Sequence, residues 1–180
     1  LHRHVPQAKR CYLSGLEPFF AEQPWTLSWE GNQVLVIHPF EESVRLQYGR
    51  KEEFQQHMKW LPEFTLKTLK AVQTIGGQKD DRFDTWFAAV DYMYEKAMEQ
   101  EFDLAVIGCG AYGFPLAARL KQAGKQAVHM GGAAQLLFGI TGKRWEAKEE
   151  YRPLMARGWR RPLPSEMPES AKKIEGGCYW

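Results

Sequence analysis

The stretch GCGAYG, residues 108 to 113, has the spacing Gly-x-Gly-x-x-Gly, directly after an apolar run and before a helix-patterned one. A strand that feeds a glycine turn and then a helix aims free backbone N–H groups at an anion. Glycine also lets a ligand approach the main chain closely. Gly108, Gly110, Ala111, Tyr112 and Gly113 are therefore candidate ligand contacts. Three other apolar runs end in residues of similar kind: His38-Pro39-Phe40, Gln73 to Gly77, and His129-Met130-Gly131-Gly132. In an open parallel sheet ligands bind outside the carboxyl ends of the strands, so these four ends point to one crevice. Gly131, Gly132 and Gln135 join the candidate set there. Lys143 and Arg144, in GITGKRW just beyond, could neutralise a diphosphate.

His38, Glu41 and His129 are the candidate catalytic bases, being titratable residues at or just past strand ends. Each feature also has a plainer reading. Glycines make tight turns without a ligand, a histidine can simply bond to nearby backbone, and Glu41 with Glu42 suits the positive end of a helix dipole. His2, His4 and His57 have no partner at metal-ligand spacing.

A dinucleotide fits the glycine turn less well than a nucleotide with one sugar. Dinucleotide folds need an acidic residue at the end of the next strand for the ribose 2′-OH, or an Arg for a 2′-phosphate. Here that end is His129-Met130-Gly131-Gly132, and the turn follows the third strand rather than the first.

The elements that must position these residues are legible from periodicity. QVLVIHPF from Gln33 reads as a strand buried on both faces, and EESVRLQYGRKEEFQQ as the helix after it. A second strand is expected over about Thr68 to Ile75. A helix then follows with Asp84 as N-cap and an apolar face of Trp86, Phe87, Val90, Met93, Tyr94 and Ala97. FDLAVIG is the third strand, YGFPLAARLKQAG a helix stopped by Gly124, KQAVHMG the fourth strand, and AAQLLFGI a short apolar helix. Strands alternating with helices predict a three-layer, Rossmann-like α/β domain with a mostly parallel sheet of four or more strands. Residues 1–32 form an aromatic lead-in packed through Phe19, Phe20, Trp25 and Trp29, and 146–180 a polar, aromatic arm.

The 180 residues fit one domain, and 44% hydrophobic against 26% charged residues is globular composition. A formal net charge of +2 provides no global field for nucleic acid or a membrane surface. No apolar run nears the roughly 20 residues that span a bilayer, and the start lacks a signal peptide's apolar region. Three cysteines without a Cys-x-x-Cys pair argue against a disulfide framework or a zinc site and suit a reducing cytoplasm. The first residue, Leu rather than Met, hints at processing or at a longer parent chain.

Taken in order, LEPFF, LVIHPFEESVRLQY, LKAVQTI, the block from FDLAVIGCGAYG to FGITGKRW, and EGGCYW resemble the carboxyl portion of bacterial proteins related to glycosyltransferases of the GT-D fold. The resemblance implies a Rossmann-like domain for a nucleotide-sugar donor, usually a UDP-sugar, in surface polysaccharide or protein-glycan biosynthesis. It also implies an acidic Asp-x-Glu motif near the amino end, within an Arg-x-Gly-Asp-Gly-Glu-like stretch, holding a divalent metal on the diphosphate. This sequence has no such stretch. No cofactor is identified, and a divalent metal has no motif to bind it. Two functions of different class follow: a glycosyltransferase, or a binding module that recognises a nucleotide or nucleotide sugar without turnover. A structural domain whose glycine turns hold no ligand is the third. Oligomeric state is left open, since Trp159 and Tyr179-Trp180 suit either an interface or a fold-back onto the sheet.

Overall fold

The computed structural model describes residues 7, 12–155, 158–173 and 176–180. His2, His4 and Cys11 lie outside the described residues. Four strands form one sheet: β1 (Gln33–His38), β2 (Thr65–Lys70), β3 (Leu104–Ile107) and β4 (Gln126–His129). The order is β2-β1-β3-β4 and every pairing is parallel. Three helices make the crossovers: α1 (Glu41–Gly49), α2 (Trp86–Met98) and α3 (Gly113–Gln122). A fourth, α4 (Lys143–Glu146), is a single turn.

The two central strands have the continuous apolar sequences VLVI and LAVI because both of their faces are covered. Val34, Val36, Leu104 and Val106 face one core, with α1, the 3-10 segment Gly131–Phe138, the aromatic lead-in and Trp180. Leu35, Ile37, Ala105 and Ile107 face the other, against α2 and α3. The chain is thus an α/β fold of three layers, Rossmann-like in its parallel sheet. The edge strands β2 and β4 mix polar with apolar residues, as half-exposed edges do.

Several boundaries differ from the predicted ones. β2 starts and stops earlier, at Thr65 and Lys70, because it runs in register with β1 and ends with it at His38↔Lys70. Residues 71–74 are loop, freed to line a cavity. The cap of α2 is Thr85, whose hydroxyl accepts from the Ala88 N–H at 3.0 Å, rather than Asp84. On α2, Val90, Met93 and Ala97 are buried as expected with Ala89, but Trp86 and Phe87 stand exposed in the first turn. The helix begun at Glu41 breaks at Gly49 and continues as short 3-10 turns to His57. In the lead-in, Phe19 and Trp29 are buried, whereas Phe20 is exposed with its edge against Tyr151.

The carboxyl arm folds back on its own sheet. Trp180 is 6% exposed, packs edge-on against Phe40 at 5.8 Å, and donates from its indole N–H to the Glu166 carbonyl at 3.3 Å. Glu166 in turn sits at the start of α1. Its carboxylate accepts from the Glu42 N–H at 2.8 Å, the Ser43 N–H at 3.3 Å and the Ser43 hydroxyl. Among the described residues no helix is long and apolar enough to cross a membrane.

Candidate functional site

The strand order reverses between β1 and β3, so the crevice of this sheet lies at the carboxyl ends of those two strands. A cavity of about 400 Å³ occupies that place. β1 contributes His38, Pro39 and Phe40, the loop after β2 contributes Val72 to Ile75, and the turn after β3 contributes Gly108 to Tyr112. Gly132 and Gln135 close it from beyond β4, Trp86 from the start of α2, and Tyr179 with Trp180 from the carboxyl arm. Its volume is that of a small-ligand site, and its walls are aromatic and uncharged.

Each glycine of the turn has a distinct task. At Gly108 a Cβ would collide with the His38 ring and stand 2.8 Å from the Ala134 methyl, so this glycine lets β1 and the 131–138 segment close on the turn. Gly110 has φ +57°, the left-handed region where a side chain costs energy, and nothing stands within 4 Å on its Cβ side. At Gly113 a Cβ would strike the imidazole of His129, so α3 packs on β4 only because that position is bare.

Two aromatic residues form one wall. Tyr112 lies flat on Trp86, with centroids 5.0 Å apart and planes 11° from parallel, and its hydroxyl shares a 2.6 Å hydrogen bond with Thr74. On the far side, a Cβ at Gly132 would meet the Tyr179 ring, so the arm approaches the main chain as closely as packing allows.

His38 is buried, and burial lowers its pKa from 6.5 to about 3. Its Nδ1 accepts the Phe40 N–H at 3.0 Å, which puts the ring proton on Nε2. The imidazole is neutral at physiological pH and its basicity is far below that of a general base poised near 7. Burial also pushes the neighbouring Cys109 thiol up to about 12.

The cavity unites His38, Gly108, Gly110, Ala111, Tyr112, Gly132 and Gln135 from the predicted set; Glu41, Gly113, His129, Gly131, Lys143 and Arg144 stand outside its lining. Glu41 accepts from the Thr68 hydroxyl at 2.6 Å and lines a second cavity of about 430 Å³ with Asp80, Arg82 and Tyr92. His129 lies with Nδ1 3.2 Å from the Ile107 carbonyl, on the packing side of Gly113. Lys143 reaches the Gly176 carbonyl at 3.4 Å, and Arg144 donates to the Tyr179 hydroxyl at 2.9 Å with its guanidinium over that ring. Both cations hold the arm. Cavity residues outside the predicted site set include Trp86, expected on the core face of α2, and Tyr179 with Trp180, expected at an interface or folded back on the sheet.

Comparison with known protein families, curated proteins and solved structures returns no match to this chain. Site chemistry therefore rests on the geometry. The divalent metal implied by the family resemblance does not fit this cavity, because no carboxylate lines it. In the second cavity Glu41 is engaged by Thr68 and Asp80 by Arg82, and among the described residues no group of three or more His, Cys, Asp or Glu could hold a metal ion.

The helix starts differ in a way that bears on anions. Glu166 fills the start of α1 and Thr85 caps that of α2, but neither α3 nor the 3-10 turn Gly110–Tyr112 before it has a side-chain cap. Of the three crossover helices, only α3 starts without a side-chain partner, so the partial positive charge of that helix start is left to an outside anion.

Proposed function

We propose that this chain is a glycosyltransferase-like domain that binds a nucleotide sugar, with a UDP-sugar as the leading ligand, in bacterial polysaccharide or glycan biosynthesis in the cytoplasm. The observation that carries the reading is the pairing of an aromatic cavity at the strand-order switch with an uncapped glycine turn at its rim. Rings of the ligand enter the cavity and its diphosphate lies against the Gly110 to Gly113 backbone, where the bare face of Gly110 leaves room. The resemblance of the Gly108 to Trp145 block to GT-D-related proteins supports the same class of ligand.

Binding without turnover is the second reading, and two specific observations favour it. His38 is a very weak base in its buried setting, and the cations expected to neutralise a leaving diphosphate, Lys143 and Arg144, are turned to the carboxyl arm. Transfer from a diphosphate needs charge stabilisation at the leaving group as well as a site for the donor.

Calorimetric titration with UDP, UDP-glucose and NAD, each with and without manganese, tests both. Binding of UDP and UDP-glucose in preference to NAD is expected. Preference for NAD would overturn the one-sugar assignment, and a strict manganese requirement would contradict the metal-free cavity. Hydrolysis or transfer of the bound UDP-glucose would overturn the non-catalytic reading.

A further inference from the structure

We propose that the second cavity, at the open edge of β2, is a saccharide subsite that takes a neutral, hydroxyl-rich ring. Its role, as the seat of the acceptor sugar beside the donor, rests on the nucleotide-sugar reading; its binding chemistry rests on its own walls.

That cavity, of about 430 Å³, is of small-ligand size. Glu41 lines it from the start of α1, Thr68 and Lys70 from the end of β2, Asp80 and Arg82 from the loop before α2, and Tyr92 from α2 itself. Val72 and Gln73 line both this cavity and the one at the strand-order switch, so the two spaces share a wall. A sugar seated here is therefore a neighbour of the nucleotide site.

The backbone adds to the polar lining. β2 is an edge strand. The Thr65 and Ala71 N–H groups donate inward, to the Asn32 and His38 carbonyls at 2.9 and 3.2 Å. Alternation along a parallel ladder turns the N–H and C=O groups of Thr68 and Lys70 the other way, to the edge that no strand covers. Both donors and acceptors are thus on offer from the main chain.

The charges of the wall cancel. Glu41 and Asp80 face Lys70 and Arg82 within one space, and each carboxylate already has a partner. Glu41 accepts from the Thr68 hydroxyl at 2.6 Å and lies 3.8 Å from Arg45, while Asp80 takes the fork of Arg82 at 2.8 and 2.6 Å. A free ion of either sign gains no net attraction there. A carboxylate and a guanidinium keep further hydrogen-bonding capacity after such a pairing, and a hydroxyl, which both donates and accepts, uses both kinds. Tyr92 supplies the apolar surface that suits the C–H face of a sugar ring; Phe83 at 5.1 Å and the Arg82 guanidinium at 5.5 Å pack on that aromatic ring.

The test is NMR titration of the ¹⁵N-labelled full chain with glucose, galactose and N-acetylglucosamine, followed by the charged counterparts glucosamine and glucuronate. Saturable shifts are expected at the amides of Thr68, Lys70, Arg82 and Tyr92 for at least one neutral sugar, with both charged sugars at least about threefold weaker. No saturable shift there with any neutral sugar would overturn the subsite, and tighter binding of glucosamine or glucuronate would overturn its neutral character. Arg82→Ala, in an exposed loop, is expected to weaken the sugar about tenfold; unchanged affinity in a variant that keeps the parent spectrum elsewhere would overturn the assignment. The sugar shifts are expected to persist when UDP is added, and their loss would place the sugar in the nucleotide cavity instead. Failure of UDP itself to bind, with the sugar shifts intact, would sink the nucleotide-sugar reading and leave the saccharide site standing.

Discussion

Glu166 caps α1 across 123 residues of sequence: its carboxylate binds the Ser43 N–H at 3.3 Å and the Ser43 hydroxyl. The same hydroxyl accepts the Leu163 N–H at 2.9 Å, so cap and arm form one connected unit. The arm then brings Tyr179 and Trp180 to the cavity.

Glu166→Ala removes a buried acceptor and strands two N–H groups at the start of α1. A loss of about 1–3 kcal/mol is expected in urea unfolding, with Glu166→Gln losing less. Ligand affinity is expected to fall as well, since the arm forms part of the cavity wall. Unchanged stability in Glu166→Ala would show that water caps α1 equally well.

Gly110→Val places a branched side chain at φ +57° and on the open face of the turn. The backbone cost is about 1–2 kcal/mol, small enough for the fold to survive, while nucleotide affinity is expected to vanish. Gly110→Asn tolerates the left-handed conformation better, so its smaller stability loss separates strain from blocked access. Retained affinity in Gly110→Val, measured by titration with UDP, would exclude this turn as the phosphate site.

Gly113→Ala is a packing test rather than a binding test. The new methyl collides with the His129 ring, so the single variant is expected to lose about 1–3 kcal/mol. Combining it with His129→Ala should recover part of that loss, and a double-mutant cycle reads the coupling directly. Additive losses would place the strain somewhere other than the α3–β4 contact.

His38 contributes a defined pH dependence. Its folded pKa of about 3 lies below the ordinary 6.5, so the unfolded chain binds more protons between those values. Stability from this residue is fully present above about pH 6.5 and is lost progressively as pH falls toward 3. Urea midpoints of the parent chain and of His38→Gln, compared at pH 7 and pH 4.5, are expected to converge as pH falls. Parallel curves for the two proteins would mean that His38 does not titrate on unfolding.

The layers and the glycine turn were legible because they follow from local periodicity. VLVI and LAVI can be apolar throughout only if covered on both faces, and Gly124, left-handed at φ +83°, stops α3 where its apolar pattern ends. These features depend on residues a few positions apart. The end of β2 was not legible, since it is set by pairing with β1 more than thirty residues away.

The cavity belongs to that second kind. Sequence alone determined that four strand ends carry glycines, histidines and glutamines, and that an α/β sheet would gather them on one side. Tertiary structure decided which of them share a space. It turned Glu41 to Thr68 and His129 to the α3 packing face, drew Lys143 and Arg144 to the arm, and supplied Trp86, Tyr179 and Trp180 as walls. The physical reason is separation along the chain: periodicity reports which face of an element is buried, whereas a cavity is made where elements distant in sequence fail to fill the space between them.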